Sequence, residues 1–301
     1  MAAQLRLVRR RISTVQSIQK ITRAQELIAS SRIVRAQQQM RAAEPYAREL
    51  TRAVEAVISR STNVTHPFTE EPENPTRAAV LILTSDQGFA GAFNANVLRE
   101  STRLRQTLRD RGLEPVLYVA GRKGIGWHRF RELELADSWS GFSAAPKYSD
   151  AQKITTVLLE AFNAEEGGVD EVHLVSTEFV SMLTQRPAAR RLLPLEIEET
   201  DEPSPHGPLP SYEFEPGPAE VLDALMPQYV AARIFYAMLE AATAELASRR
   251  RAMKAATDNA GDLIEQLTRE ANNARQAEIT QEISEIVGGA NALAGASATS
   301  E

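Results

Sequence analysis

Leu5, Val8, Ile12 and Val15 succeed one another at spacings of three and four. That period places side chains on one stripe of an α-helix. The stripe slips phase through Ile18 and Ile21 and resumes at Ile28. Neither glycine nor proline precedes Pro45, the next proline is Pro67, and the first glycine is Gly88. These two residues are the chief interrupters of helices, so the pattern predicts a helix over residues 1–60, bent at Pro45. The other end of the chain repeats the pattern. Pro227 is the last proline, and from Gln228 to Val287 only Gly261 interrupts a stretch dominated by good helix formers. A second helix is expected over 220–288, stopped by Gly288-Gly289, with 289–301 a flexible tail.

A helix of about 60 residues is roughly 90 Å long, whereas a compact chain of this length has a radius of gyration of about 19 Å. The two helices are therefore expected to protrude and to pair as a long antiparallel coiled coil. Ala, Ser, Thr, Gln and Arg interrupt the apolar positions of the seam, and a self-sufficient coiled coil wants sustained Leu, Ile or Val. A surrounding partner is expected to supply the remaining contacts.

Between the helices the pattern changes. Ser61–Thr76 reads as a Pro- and Glu-containing linker. Ala78–Leu83 is a continuous apolar run, the mark of a strand buried on both faces. A Gly-punctuated loop over Ser85–Asn94 and an amphipathic helix to about Arg111 follow. Strands are predicted at Pro115–Ala120 and Glu171–Ser176, helices at Arg122–Glu132 and Asp150–Asn163, and an edge strand within Thr184–Ile197. Strands alternating with helices argue a small, mostly parallel, Rossmann-like α/β domain over 76–198. Residues 199–219 read as an acidic, Pro-rich connection. Leu192–Ala232 holds eight of the fifteen prolines and neither Lys nor Arg.

Composition narrows the function. With no cysteine, disulfides, thiolate metal sites and cysteine nucleophiles are excluded. No apolar run is long enough to span a bilayer. The net charge of −6 divides into +8 over residues 1–60 and −14 over the rest, so the two parts are expected to face different partners. The Arg-rich start resembles a mitochondrial transit peptide, but the same Arg spacing continues through Arg60 with no change of character, and a mature basic helix is the favoured reading. A nucleic-acid role for that helix has little support, because it carries no aromatic before Tyr46 and stacking platforms are absent.

Candidate chemistry is sparse. Gly88-Phe-Ala-Gly91 and Gly121-Arg-Lys-Gly124-Ile-Gly126 each follow a strand, yet neither fits G-x-G-x-x-G or G-x-x-x-x-G-K-[ST]. His66, His128, His173 and His206 are scattered singly, without metal-ligand spacing. Ser85-Asp86 reads as a strand-end turn, and Glu165-Glu166 and Glu198-Glu199 as solvated pairs. No catalytic residue, cofactor or metal site is expected.

Five ordered stretches carry a resemblance. They are Ile18-Gln-Lys-Ile-Thr-Arg-Ala24, Ser85-Asp-Gln-Gly-Phe-Ala-Gly-Ala-Phe-Asn94, the pair Glu215-Pro-Gly-Pro with Leu225-Met-Pro-Gln-Tyr229, Ala252-Met-Lys-Ala-Ala-Thr-Asp-Asn-Ala260, and the long Arg275-Gln-Ala-Glu-Ile-Thr-Gln-Glu-Ile-Ser-Glu-Ile-Val-Gly-Gly-Ala-Asn-Ala292. The chain resembles the γ subunits of F-type ATP synthases over essentially its whole length. The resemblance implies a rotor shaft linking ATP synthesis to hydrogen ion transport. Its terminal helices would stand inside a ring of three α and three β subunits, and its α/β domain would rest on the c-ring and against the ε subunit. Catalysis would belong to β. By the same resemblance Arg275 and Gln276 would engage the β catch loop, and Tyr212 and Glu215 would form the foot on the c-ring. Gln25 and Leu27 stand where the family commonly has Met. Membrane association would be indirect, on the cytoplasmic side of a bacterial plasma membrane. The competing readings are a nucleotide-binding enzyme built on the α/β domain and a basic coiled-coil scaffold.

Overall fold

The computed structural model describes residues 2–60, 66–195, 215 and 217–298. Its elements run α1 (Ala2–Arg60), β1 (Arg77–Leu83), α2 (Phe93–Asp110), β2 (Glu114–Ala120), α3 (Arg122–Phe130), β3 (Asp137–Trp139), α4 (Tyr148–Phe162), β4 (Glu171–Phe179), β5 (Gln185–Leu193) and α5 (Pro218–Ala298). The chain divides into two compact units, residues 1–28 with 251–301, and residues 29–250. The terminal helices are thus not separate from the α/β domain along their whole length, as the sequence pattern suggested.

In the larger unit five strands form one sheet in the order β3-β2-β1-β4-β5. The pairs β1–β2, β1–β4 and β2–β3 are parallel, and β4–β5 is antiparallel. The alternation along β1 feeds two cores. Ala79, Leu81 and Leu83 face a core completed by α4 (Ile154, Leu158), α1 (Val54, Val57) and α5 (Leu222, Met226, Val230, Ile234). Ala78, Val80 and Ile82 face the other side, closed by Val97 and Leu108 of α2 and by Leu113, Leu117 and Val119. Residues 29–60 and 218–250 join this unit because their apolar faces are one wall of its main core. Further along, Ile33 and Ala36 meet Leu246 and Ala247.

In the smaller unit α1 and α5 run antiparallel. Leu5 and Val8 pack on Leu267 and Ala271, flanked by Ile12, Val15 and Ala274. At the phase slip the contact is polar: Thr22 Oγ1 lies 2.8 Å from Thr257 Oγ1. Thr22 is buried there, while Ile18 and Ile21 are exposed. Gly261 stands opposite Gln19, whose Nε2 would be 3.3 Å from an added Cβ. Small residues let the backbones approach where bulky knobs are missing.

One expected boundary is corrected, and one strand has no counterpart among the expected elements. Gly288-Gly289 does not stop α5, which continues to Ala298; the flanking alanines are strong helix formers and offset a glycine cost of about 1 kcal/mol each. Helix α5 starts at Pro218, two residues before the expected 220, and Pro227 lies inside it, as Pro45 lies inside α1. Strand β3 has only three residues, too few to show a period in the sequence. Most of the 199–219 connection lies outside the described residues.

Candidate functional site

The first place to look for chemistry is the crevice beyond the carboxyl ends of β1 and β2, where open α/β sheets bind ligands. Here it is filled. Leu83, Thr84, Ala120 and Gly121 form its floor, and Met238, Ala241 and Glu245 of α5 cover it, leaving a cavity of about 20 Å³. A nucleotide pocket is typically several hundred cubic ångströms. The glycines of this region serve packing. Gly121 has φ +104, and a Cβ on Gly124 would come within 2.6 Å of Thr84 Oγ1. The Gly124 N–H instead donates to that hydroxyl at 3.0 Å.

Asp86 is a turn organiser. Its carboxylate accepts from the N–H groups of Arg122, Gly141 and Ser143 at 2.8–3.1 Å. Burial raises its proton affinity, but these three donors outweigh that and hold the carboxyl below its ordinary range. Ser85 Oγ donates to the carbonyl of Gln87 at 2.7 Å and exchanges hydrogen bonds with the Asn94 side chain. Both residues are engaged in tying β1, the following loop, α2 and α3 together.

The histidines occupy separate places. His66 is stacked on Phe68 and lies 3.1 Å from Asp223. His128 holds the carbonyl of Gly124 with Nδ1 at 2.8 Å. His173 Nε2 is 2.7 Å from Glu171. His206 and the Glu198-Glu199 pair fall outside the described residues, and Glu165 and Glu166 are exposed. Among the described residues no group of His, Cys, Asp and Glu could hold a metal ion.

What remains are surfaces. Arg275 and Gln276 are exposed on α5; Arg275 makes no ion pair among the described residues, and the Gln276 carbonyl accepts from Thr280 Oγ1 at 2.9 Å. Glu215 is exposed, and Tyr212 lies outside the described residues. Beyond Ala274, the last α5 residue packed on the Leu5–Val8 cluster, Ile279, Ile283 and Ile286 form an apolar stripe at spacings of four and three, all exposed. On α1 the exposed apolar residues include Leu7, Ile18, Ile21 and Leu27. Gln25 is exposed as well. Sequence periodicity marks such positions as core; only burial shows that this unit leaves them uncovered. No described helix is long and apolar enough to cross a membrane.

Comparison with known proteins finds relatives along nearly the whole chain. The family model described as ATP synthase matches residues 4–293. The chain is 59% identical to the ATP synthase gamma chain of Thermobifida fusca over 306 residues, covering all of both chains. It is 60% identical to that of Acidothermus cellulolyticus over 295 residues, covering 97% of this chain and 98% of the relative. Among solved structures, the rotor of the Euglena gracilis mitochondrial ATP synthase superposes with a TM-score of 0.68 at 14% identity, over 93% of this chain and all of that one. The central stalk of the Tetrahymena thermophila enzyme gives 0.56 at 19% identity, over 78% and 99%. At such identities the structural likeness speaks for the fold, and the near-full-length likeness in sequence speaks for the family: the chain belongs to the ATP synthase gamma chains.

Proposed function

We propose that this chain is the central rotor shaft of a proton-driven ATP synthase, a non-catalytic subunit that carries torque between a c-ring and catalytic β subunits. The observation that carries the reading is the whole-length identity of 59–60% to ATP synthase gamma chains. The exposed stripe Ile279, Ile283, Ile286 supports it, because an apolar stripe left uncovered by the described residues calls for an enclosing partner. In this reading three α and three β subunits surround the terminal helices. The c-ring and ε subunit meet the α/β domain, membrane association is indirect, and the site is the cytoplasmic side of a bacterial plasma membrane. Nucleic acid has no part in it.

A rotating shaft must leave each orientation it enters. The apolar cluster of Leu5, Val8, Leu267 and Ala271 and polar contacts such as Thr22–Thr257 keep the helix pair together, while the outward surface offers exposed apolar side chains and separate polar grips. Coupling then comes from the different affinity of the β conformers for each shaft face. Arg275 and Gln276 are two such grips on the β catch loop, and Tyr212 with Glu215 the contact on the c-ring.

The test is turnover per assembled complex. Isolated chain should hydrolyse no ATP above a mock preparation, and addition to α and β subunits should yield activity. Changing Arg275→Ala with Gln276→Ala removes a charge-assisted contact worth roughly 1.5–3 kcal/mol. Synthesis and hydrolysis should fall about ten- to a hundredfold with assembly intact by native mass. Wild-type turnover in that variant would remove the two residues from the site, and hydrolysis by the isolated chain would overturn the whole reading.

A further inference from the structure

The turn between β4 and β5 is seated on both long helices at once. Strand β4 pairs with β1 from Glu171 to Val175, whereas its pairing with β5 runs on to Phe179 opposite Gln185. The end of the hairpin therefore projects beyond β1. It lands where Ile33 and Ala36 of α1 meet Leu246 and Ala247 of α5, and Phe179 and Met182 pack on that cluster. Phe179 also packs on Ala90, Phe93, Ala241 and Ala244. The alanines let the hairpin come close to the helix backbones.

Apolar contact is not directional, but two side-chain hydrogen bonds, one from each helix, fix the seat. Gln37 Nε2 of α1 donates to Met182 Sδ at 3.6 Å. Ser248 Oγ of α5 lies 3.2 Å from Gln185 Oε1, which accepts from it. The Gln185 amide also donates to the Ser181 carbonyl at 3.0 Å. The turn is stiff in itself. The Ser181 N–H donates to the Thr184 carbonyl at 3.0 Å, and Ser181 Oγ accepts from the N–H groups of Leu183 and Thr184 at 3.2 and 3.0 Å. Behind it, Glu178 of β4 holds Arg186 of β5 at 2.6 Å, and Arg190 as well.

The unit that contains the sheet takes in residues 29–60 of α1 and 218–250 of α5. Ile33, Gln37, Leu246 and Ser248 stand near one end of those stretches. Val54 and Val57 of α1, with Leu222 and Met226 of α5, enter the main core near the other end. Ile33 lies about 30 Å along α1 from Val54. A helix pair gripped at one place resists twisting against its domain only through that grip. A second grip farther along, touching both helices, adds its own resistance.

We propose that the β4–β5 hairpin is a torsional clamp that fixes the angle of the helix pair against the α/β domain, with Met182 and Gln185 as its positioning residues. This rests on the rotor reading and adds to it a place where torque passes between domain and helices.

The test is the angular freedom of the α/β domain in a complex of the full chain with α and β subunits, fixed to a surface through β. The chain has no cysteine, so a bead can be attached through Arg103→Cys, at an exposed position of α2. The variance of the bead angle during a pause in ATP-driven rotation falls as torsional stiffness rises. Hydrolysis by the same complex without a bead asks no torque of the domain. Met182→Ala with Gln185→Ala empties part of the seat and should raise the variance about twofold or more, with bead-free hydrolysis within about twofold of wild type. Gln185→Ala alone leaves the apolar contact and should raise the variance by about half. Met182→Leu keeps the apolar bulk and should stay near wild type. If the double variant does not assemble, Gln185→Ala decides in the same terms. Wild-type variance in the variants that assemble overturns the proposal. So does bead-free hydrolysis that falls in step with rising variance, which makes the hairpin a general support of the complex. A wild-type complex whose bead does not turn overturns the rotor reading instead.

Discussion

Glu245 Oε1 and Arg249 Nη2 lie 2.6 Å apart, one turn from each other on α5, with both side chains almost wholly buried. The same guanidinium donates to the carbonyls of Gln87 and Gly88 at 3.2–3.3 Å, so the pair fastens the loop after β1 onto the helix. Burial pushes the Glu245 carboxyl up, against the pull of Arg249.

Breaking this pair from one side should be costly. Glu245→Ala leaves a buried guanidinium, and Arg249→Ala leaves a buried carboxyl and two carbonyls without donors. Each should lower stability by about 3–5 kcal/mol, read as a fall in the urea midpoint of the full chain. The double change Glu245→Leu with Arg249→Met should recover much of that loss. A control for the Arg275 and Gln276 experiment must lie away from this buried pair, at the surface of α5. Lys254, exposed and paired with Asp258 at 3.2 Å, is the suitable one.

Glu171 governs stability in acid. It is 1% exposed and accepts two hydrogen bonds from Arg111, the shorter at 2.5 Å, with His173 at 2.7 Å. Burial raises its proton affinity, but the bonds from His173 and Arg111 outweigh that and lower the carboxyl to about 2. A depressed carboxylate contributes stability that is complete above its unfolded pKa of about 4.3 and fades as pH falls toward the folded value. Wild-type stability should drop between about pH 4.5 and 2, and Glu171→Gln should flatten that limb while lowering stability at pH 7. An unchanged acid limb in the variant would refute the assignment.

Glu240 acts in the opposite sense. Burial and the nearby Glu178 raise it to about 7, although Arg190 and Arg233 and the Phe179 N–H pull it down. Glu178 itself is saturated by Arg186 and Arg190. A raised carboxyl favours folding while protonated, and that contribution is lost as pH rises from about 4.5 through 7. Glu240→Gln should match wild type at pH 5 and be more stable at pH 8, by on the order of 1–2 kcal/mol after solvent screening. Equal stability of the two at pH 8 would count against it.

Truncation should separate packing from coupling. The last α5 residues packed on Leu5 and Val8 are Leu267, Ala271 and Ala274. Deleting residues 279–301 removes only exposed side chains among the described ones, and should shift chain stability by less than about 0.5 kcal/mol. In the assembled enzyme the same deletion should depress ATP synthesis strongly. Loss of thermal stability in the isolated chain would mean that the stripe is core after all.

Much of the architecture was legible because it is local. Long stretches without glycine or proline announce α1 and α5, and Ala78–Leu83 announces a buried strand, since helix period and apolar runs need only near neighbours to be expressed. The resemblance carried by Arg275–Ala292 named the family. Other features depend on residues far away in the chain. The apolar stripe slips phase at Ile18 and Ile21, and there the chain buries Thr22 against Thr257 and leaves both isoleucines outside. Whether a stripe is covered depends on what meets it, and periodicity is silent about that. Glu171 and Glu240 are indistinguishable as letters, and the groups packed around them send their proton affinities in opposite directions. Local pattern sets the elements; burial and pairing, which are properties of the packed chain, set which of their faces and charges are left for a partner.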